Sequence, residues 1–242
     1  WVVRMAFMLL ALLFSFRNAS IQAEDARLLQ PKTNALDLVV QGVDLVLFAQ
    51  DKTAISISTP PEKDVFFTEH EGVLRVRTRT ENAEGTRRVI RIGIPRAQTL
   101  AWVKIIATGA HTTVRGVRAV WSLLLCNEGT LALTESTLKS CTLTHTRGEL
   151  RFEAAVLKRA SFCLNDVNAR FTLLGSRADY RLICSPGERA WKIEGAEQRG
   201  AHYTEPARAR RHMVISASAS SIDVMFKAPP TQQEAVDTTQ KG

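Results

Sequence analysis

The sequence predicts an all-β protein: a right-handed parallel β-solenoid with rungs of about 20 residues, preceded by a strand- and hairpin-rich N-terminal part. The first observation is a repeat from about Leu100 to Ala196, in which five segments align on a Gly or Asn corner. The second is a pair of apolar residues with period two after each corner, which is typical of a strand with one buried face. The third is that no later segment has the 3.6-residue period of an amphipathic helix.

The corners of the repeat set its period. Gly and Asn tolerate positive φ, so they turn a chain sharply without strain. A fixed period of this length predicts stacked rungs, in which strands one rung apart pair in parallel and cross over with a right-handed sense. Solenoids act mostly as surfaces, so the repeat favours binding over catalysis. The predicted corners are Gly109, Gly129, Gly148, Asn168 and Gly187.

The N-terminus has the pattern of an export signal, predicted to span residues 1–23. Ala6–Phe16 is an uninterrupted apolar run, too short for the ~20 residues of a membrane span. A small-residue cleavage site ends at Ala23. We therefore expect an exported protein in the periplasm or at the cell surface, with no transmembrane helix in the mature chain. The alternative is that the run forms a buried first helix.

A single domain is predicted over residues 36–227, between a flexible leader (24–35) and a disordered tail (228–242). Its N-terminal part alternates apolar and polar residues, as strands do. Val73–Thr80 and Arg88–Ile94 are predicted to form a hairpin around Gly85. The repeats occupy about 96–197, and a β segment over about 212–227 is predicted to close the open end of the solenoid, where an uncovered edge would aggregate.

The charge of the chain favours an anionic partner. The 242 residues carry a net charge of +8, and removal of the export signal, which holds Arg4 and Arg17 and no acid, leaves +6. Acidic polysaccharide and a lipid head-group surface both fit this charge. Nucleic acid is disfavoured by export and by the lack of aromatic residues between the arginines.

Arginines that share strand faces are the predicted ligand-binding residues. Arg suits the bidentate capture of carboxylate, sulfate or phosphate, and like charges on adjacent sheet positions repel unless they are screened or bound. The alternative is that they only protect an exposed sheet face or edge. One cluster is Arg75, Arg77, Arg79 and Arg91, and the other is Arg208, Arg210 and Arg211.

Two other functions stay open. A solenoid can be a carbohydrate-active lyase or hydrolase, which for inversion needs two carboxylates roughly 6.5–9.5 Å apart. Glu128 and Asp166 lie near equivalent corners two repeats apart, and Glu149 and Glu153 flank one strand. Acids beside turns are usually only solvated, so we expect no enzyme. The third possibility is a structural protein that packs against an envelope partner.

No metal site or other cofactor is predicted. The four cysteines form no CxxC pair, which argues against zinc. Rungs about 4.8 Å apart would allow disulfides between some of them, but small apolar core residues are the favoured interpretation. The five histidines have no ligand spacing, and His145 is placed on the core side. The cysteines are Cys126, Cys141, Cys163 and Cys184; the other histidines are His70, His111, His202 and His212.

The layout resembles a bacterial "putative adhesin" domain family of unknown function, related to the head-GIN adhesin domains. Val89–Pro95 (VIRIGIP) is similar to the family's I-x-I-P strand end, and Leu100–Gly109 (LAWVKIIATG) to its entry into the repeats. Ser220–Phe226 (SSIDVMF) resembles its final strand, with Ser where the family commonly has Gly. The resemblance covers about Leu36–Lys227. It implies an exported, surface-exposed β-solenoid with an adhesion or envelope role and no catalytic residues.

Overall fold

The computed structural model describes residues 27–28, 32–59, 65–78, 88–187, 189, 191–204, 206 and 209–228. This part of the chain is all-β, as predicted, and its strands belong to one large mixed sheet. The only helical element among these residues is the single 3₁₀ turn Arg177–Asp179. No helix in the described part of the chain has the length and apolarity to cross a bilayer. The predicted export signal and the tail after Ala228 lie outside the described residues.

The N-terminal strands form two rungs rather than the predicted hairpin. β2 and β3 are separated by a corner at Gly42 (φ +64°) and make one rung, which lies parallel on a second rung made by β6 and β7. β6 pairs with β2 and β5, whereas β7 pairs with β3 and β4, so the hairpin prediction is wrong. The strands are β1 (Arg27–Leu28), β2 (Ala35–Gln41), β3 (Asp44–Gln50), β4 (Ser56–Ser58), β5 (Val65–His70), β6 (Val73–Thr78) and β7 (Val89–Pro95).

Part of the predicted flexible leader is paired. β1 lies antiparallel to β4, with Arg27 opposite Ile57 and Leu28 opposite Ser56. The leader is therefore a strand at these two residues, because β4 offers them a free hydrogen-bonding edge.

Three long strands form the centre of the sheet: β8 (Leu100–Arg115), β9 (Arg118–Thr134) and β10 (Thr137–Leu174). They pair in parallel, with Trp102 opposite Trp121 and Trp121 opposite Ser140. Each partner is one 19-residue step along the chain, the separation that also joins Val117 to Ser136. This confirms that successive repeats pair in parallel.

The last rung along the chain is inserted into the stack. The C-terminal strands are β11 (Tyr180–Ser185), β12 (Trp191–Ile193), β13 (Ala196–Gln198), β14 (His202–Thr204), β15 (Arg211–Ser218) and β16 (Ser221–Lys227). β15 lies between β10 and β11, and β16 lies between β10 and β12. The prediction that residues 212–227 close the open end is therefore wrong. Antiparallel β13 and β14 lie at that end, and β4 and β5 occupy the corresponding place at the other.

The corners are defined by a ladder of residues with positive φ. From Gly109 onward, its members repeat every 19 residues, and most of them are not glycine. Two of them lie one residue before the predicted corners Gly129 and Gly148. A left-handed backbone costs a non-glycine residue about 1–2 kcal/mol, so the stacking of the rungs must hold these residues in place. They are Gly109, Glu128, Arg147, Asp166 and, in the inserted rung, Ala219, with φ between +49° and +61°.

Gly129 and Gly148 are required for a different reason, the close approach of neighbouring rungs. A Cβ on Gly129 would lie 2.2 Å from the carbonyl oxygen of Ala110, and a Cβ on Gly148 would lie 2.0 Å from that of Gly129. These contacts are with backbone atoms, which cannot move aside without separating the rungs. The two glycines therefore fix the spacing of the stack beside the corner.

The interior is mostly aliphatic, with an aromatic stack at its centre. Phe152, Phe162 and Phe171 are fully buried, and their ring centroids lie 5.3 Å apart. Two buried serines satisfy corner backbone groups. The hydroxyl of Ser220 accepts from the N–H of Val167 (3.0 Å), and that of Ser136 donates to the carbonyl of Thr134 (3.0 Å). The polar groups of the interior are therefore these serines, which bond to backbone where the chain turns, and a few others within strands, such as Thr112 and His145.

We expect Gly148→Ala to destabilise the protein more than Gly109→Ala. Both substitutions place Ala at positive φ, but only the first drives a Cβ into the next rung, because no atom lies within 4 Å of the Cβ position of Gly109. The overpacking should add about 1–3 kcal/mol to the backbone strain. Urea unfolding of both variants measures the difference, and equal losses of unfolding free energy would contradict it.

Candidate functional site

The arginines of β6 differ in their partners. Arg75 is exposed, but Arg77 is half-buried and donates from Nη1 to the carbonyl oxygen of Asp37 (2.7 Å) and from Nη2 to its Oδ2 (2.5 Å). Lys104 approaches the other carboxylate oxygen of Asp37 at 3.6 Å. Asp37 is nearly buried, so Arg77 neutralises a structural charge and is not a free ligand group. Arg79 lies outside the described residues.

Arg91 does not lie beside Arg75 and Arg77. It is exposed on β7, opposite Val46 of β3 and Ser58 of β4. The two parts of the predicted cluster are therefore on strands that are not neighbours in the sheet.

The second arginine cluster also divides. Arg211 donates to the carbonyl oxygen of Leu174 and to the Tyr180 hydroxyl (2.9 Å), and its guanidinium lies 5.1 Å from the Tyr180 ring centroid. Arg211 thus stabilises the 3₁₀ turn and the start of β11. Burial raises the pKa of Tyr180, against the opposing effect of Arg211. Arg210 is exposed, and Arg208 lies outside the described residues.

A surface that carries several basic residues and no acid runs across the middle of the sheet. The segments 100–108, 119–127, 138–146, 157–165 and 211–218 form neighbouring strands, and none of them contains Asp or Glu. We call the outward side of these segments the basic face. The acids of the central rungs lie at the corners or beyond them, as Glu128, Glu149 and Asp166 do. The basic residues of the five segments are Lys104, Lys139, Lys158, Arg159, Arg211, His212 and the inward-facing His145.

The basic face also carries exposed apolar side chains. Trp121 is 63% exposed and Leu123 is 37% exposed, while Trp102, on the previous rung opposite Trp121, is half-buried. Outward positions of a sheet normally hold polar residues, so this concentration is unusual. The one-rung spacing of the two tryptophans was visible in the sequence, but only the register shows that both point outward.

A shallow depression of about 380 Å³ opens over the segments 138–146, 157–165 and 211–218. Ser140, which pairs with Trp121, is at one side, and Arg159 and His212 are at the other. Thr142 and Ser161 add hydroxyl groups. Arg159 is exposed and makes no ion pair with any residue that the structure describes. The depression therefore combines hydroxyl groups with an unpaired guanidinium.

The paired acids considered for catalysis are separated by a cation. Glu128, Arg147 and Asp166 follow one another at equivalent corners of successive rungs, and Arg147 contacts the Glu128 carboxylate at 2.7 Å. Glu149 is likewise paired with Arg151 at 2.8 Å. Both carboxylates are about half exposed and each is held in an ion pair. The geometry of these corners thus resembles surface ion pairing more than a catalytic pair.

The comparisons with known proteins bear on the fold. No family model matches the chain. Among solved structures, it is similar to a putative cell adhesion protein from Clostridium sporogenes at 10% identity and a TM-score of 0.55, covering 84% of this chain and 98% of that one. This likeness shows a shared fold. A putative adhesin from Parabacteroides merdae matches at 12% identity over 85% of this chain and 95% of that one, but its TM-score of 0.27 supports no conclusion.

The cysteines are all free, and no cysteine of one rung stands opposite a cysteine of the next. Cys126, Cys141 and Cys184 are buried, and burial raises the pKa of each thiol to about 12. These three are core residues, which confirms the favoured interpretation for them, whereas Cys163 is exposed, so the interpretation is wrong for that residue. Among the described residues, no group of three His, Cys, Asp or Glu side chains is placed to hold a metal ion.

His145 is an interior histidine, as its position in the repeat predicts. It is fully buried, and neither ring nitrogen has a hydrogen-bond partner of good geometry. Burial lowers the pKa of His145 below its ordinary 6.5, although backbone groups of Cys126 and Glu149 partly oppose this effect.

We expect the stability of the protein to fall in mild acid because of His145. The folded state binds this proton less readily than the unfolded state does, so the contribution is present above pH 6.5 and is lost as the pH falls below it. The loss should approach about 1.4 kcal/mol per pH unit. Urea unfolding between pH 4.5 and 8 should show a shallower dependence for His145→Leu. The exposed His70→Gln is the control, and an unchanged slope in His145→Leu would contradict the prediction.

We expect Arg77→Gln to lower stability by about 1–3 kcal/mol, because it leaves the nearly buried Asp37 carboxylate with one distant cation. Arg75→Gln, on the same strand and exposed, should change stability by less than about 0.5 kcal/mol. Thermal and urea unfolding of the two variants provide the measurement. Equal effects would show that the Asp37 contact contributes nothing.

Proposed function

We propose that this protein is an exported, non-enzymatic, adhesin-like module that binds an anionic polymer of a cell envelope through the basic face. The observation that carries the proposal is the absence of Asp and Glu from five neighbouring strand segments that contain Lys104, Lys139, Lys158 and Arg159. Such a surface has a positive potential that attracts extended anions. Acidic polysaccharide suits it better than a small ligand, since the face extends over five strand segments.

We infer that the stack is a right-handed β-solenoid. Support comes from the constant 19-residue register, from the parallel pairing of β8, β9 and β10, and from the strong preference of parallel crossovers for the right-handed sense. A regular stack of this kind offers identical backbone spacing along its outer face, which suits a ligand that is itself a repeating polymer.

The exposed arginines of the sequence prediction contribute differently to the proposed surface. Arg75 and Arg210 stay available beside the basic face, whereas Arg91 is exposed on the strands beyond the corner, and Arg77 and Arg211 act mainly by holding Asp37 and Tyr180 in place. Arg79 and Arg208 are retained from the sequence prediction alone.

Export and adhesion are supported by two independent features. The sequence begins with an apolar run and a small-residue cleavage site, and the Clostridium sporogenes protein that shares the fold is named for cell adhesion. We propose on the same basis that the chain is a relative of the head-GIN adhesin domains, located in the periplasm or on the cell surface. A protein partner in the envelope is the alternative.

We expect the purified chain to bind polygalacturonate at low salt and to lose most of this binding at 1 M salt, where the Debye length is about 3 Å. The neutral polysaccharide dextran should not bind. Replacement of Arg75 and Arg91 by Ser should weaken binding only modestly, and replacement of Lys139 and Lys158 by Ser should weaken it more. Calorimetric titration measures all of these. A wild-type chain that binds no acidic polysaccharide at low salt overturns the proposal.

A further inference from the structure

We propose that the depression lined by Ser140 and Arg159, together with Trp121 on the strand next to Ser140, is a subsite for one uronic acid unit of an acidic polysaccharide, an assignment that rests on the function proposed above. Its parts follow the register of the sheet. Ser140 lies opposite Trp121, Arg159 is on the rung beyond Ser140, and His212 pairs with Arg159 on the following rung. An indole, hydroxyl groups and a guanidinium thus succeed one another across the strands.

Trp121 supplies the apolar contact. Its indole is the most exposed of the large hydrophobic side chains that the structure describes, and Leu123 beside it is also exposed. A pyranose has one face of C–H groups, which packs on an indole as other apolar surfaces do. An isolated exposed tryptophan needs no explanation, but Trp121 lies on the strand next to Ser140, a residue that lines a depression of ligand size.

The hydroxyl groups give the depression its affinity for a polyol. Ser140, Thr142 and Ser161 line it, and each hydroxyl can donate and accept. A membrane surface would gain little from this arrangement, because lipid head groups are reached by long basic side chains and acyl chains by protruding apolar ones. A sugar ring, which carries hydroxyl groups around its edge, uses all of them.

Arg159 selects for the carboxylate. Its planar guanidinium matches a carboxylate with two parallel hydrogen bonds, and no acid of the basic face competes for it. Rungs lie about 4.8 Å apart, so the backbones of Trp121 and Arg159 are separated by two such steps. One sugar unit and an arginine side chain together span that separation, which allows the ring to stack on Trp121 while its carboxylate meets Arg159.

The test is the binding of hexagalacturonic acid and of a neutral galactose hexamer to the purified chain, followed by calorimetry and tryptophan fluorescence. Trp121→Ala should weaken binding of the acidic hexamer at least tenfold. Arg159→Gln should weaken it at least tenfold and should also remove most of the preference over the neutral hexamer. Circular dichroism and unfolding midpoints show whether each variant keeps its fold, as both residues are exposed.

Matched controls come from the strands beyond the corner. Met225→Ala removes an exposed apolar side chain, and Arg170→Gln removes an exposed positive charge, both outside the basic face. Each should leave binding within twofold of the wild type. If Arg170→Gln weakened binding as much as Arg159→Gln, the effect would be one of net charge and the subsite would be rejected.

The outcomes separate the subsite from the general function. Wild-type binding that both Trp121→Ala and Arg159→Gln leave within twofold overturns the subsite while the adhesin-like function stands. No wild-type binding to the hexamer or to polygalacturonate overturns both. Binding to phosphatidylglycerol vesicles that depends on Trp121, without binding to the hexamer, shows a membrane surface as the ligand and overturns the subsite as well.

Discussion

The structure depends on hydrogen bonding between rungs in a constant register. Because Trp102, Trp121 and Ser140 stand opposite one another, all the remaining positions of the central rungs are fixed relative to their neighbours. The backbone approach at Gly129 and Gly148 sets how closely the rungs can stack. This constraint sets the positions of the core side chains, the corner residues and the basic face. If the pairing register of a strand shifted by one residue, its inward and outward side chains would change places.

The same constraint explains why charged residues occupy strained corners. Glu128, Arg147 and Asp166 hold positive φ values where glycine would be easier. The neighbouring rungs fix the backbone there, so the strain is a local cost against many inter-rung hydrogen bonds. Placing side chains at these corners also puts the acids away from the basic face, where opposite charges would neutralise the surface that we propose binds ligand.

The sequence was sufficient for the central repeats because their contacts are local. The period, the parallel pairing, the all-β class and the core position of His145 follow from alternation and spacing alone. The predicted corners Gly129 and Gly148 were one residue too late and Asn168 two residues too late, because Glu128, Arg147 and Asp166 give no glycine signal. The order of the terminal strands in the sheet was not predicted, because the sequences of β15 and β2 do not indicate which strands pair with them. The depression near Trp121 joins residues of three rungs, so it emerges only from the register.

The out-of-order rungs at both ends have a consequence for how the chain assembles. In the middle of the stack each strand pairs with the one before it in the chain, so only a short loop has to close at each step. β11, in contrast, receives its parallel neighbour only when β15, later in the chain, has docked, and β2 is flanked by β6 and β8, which both follow it. Each end is therefore completed only when a later part of the chain docks, and not by the simple addition of the next strand. Closing it requires a long loop to be organised first, which slows folding and makes the ends depend on an already formed centre.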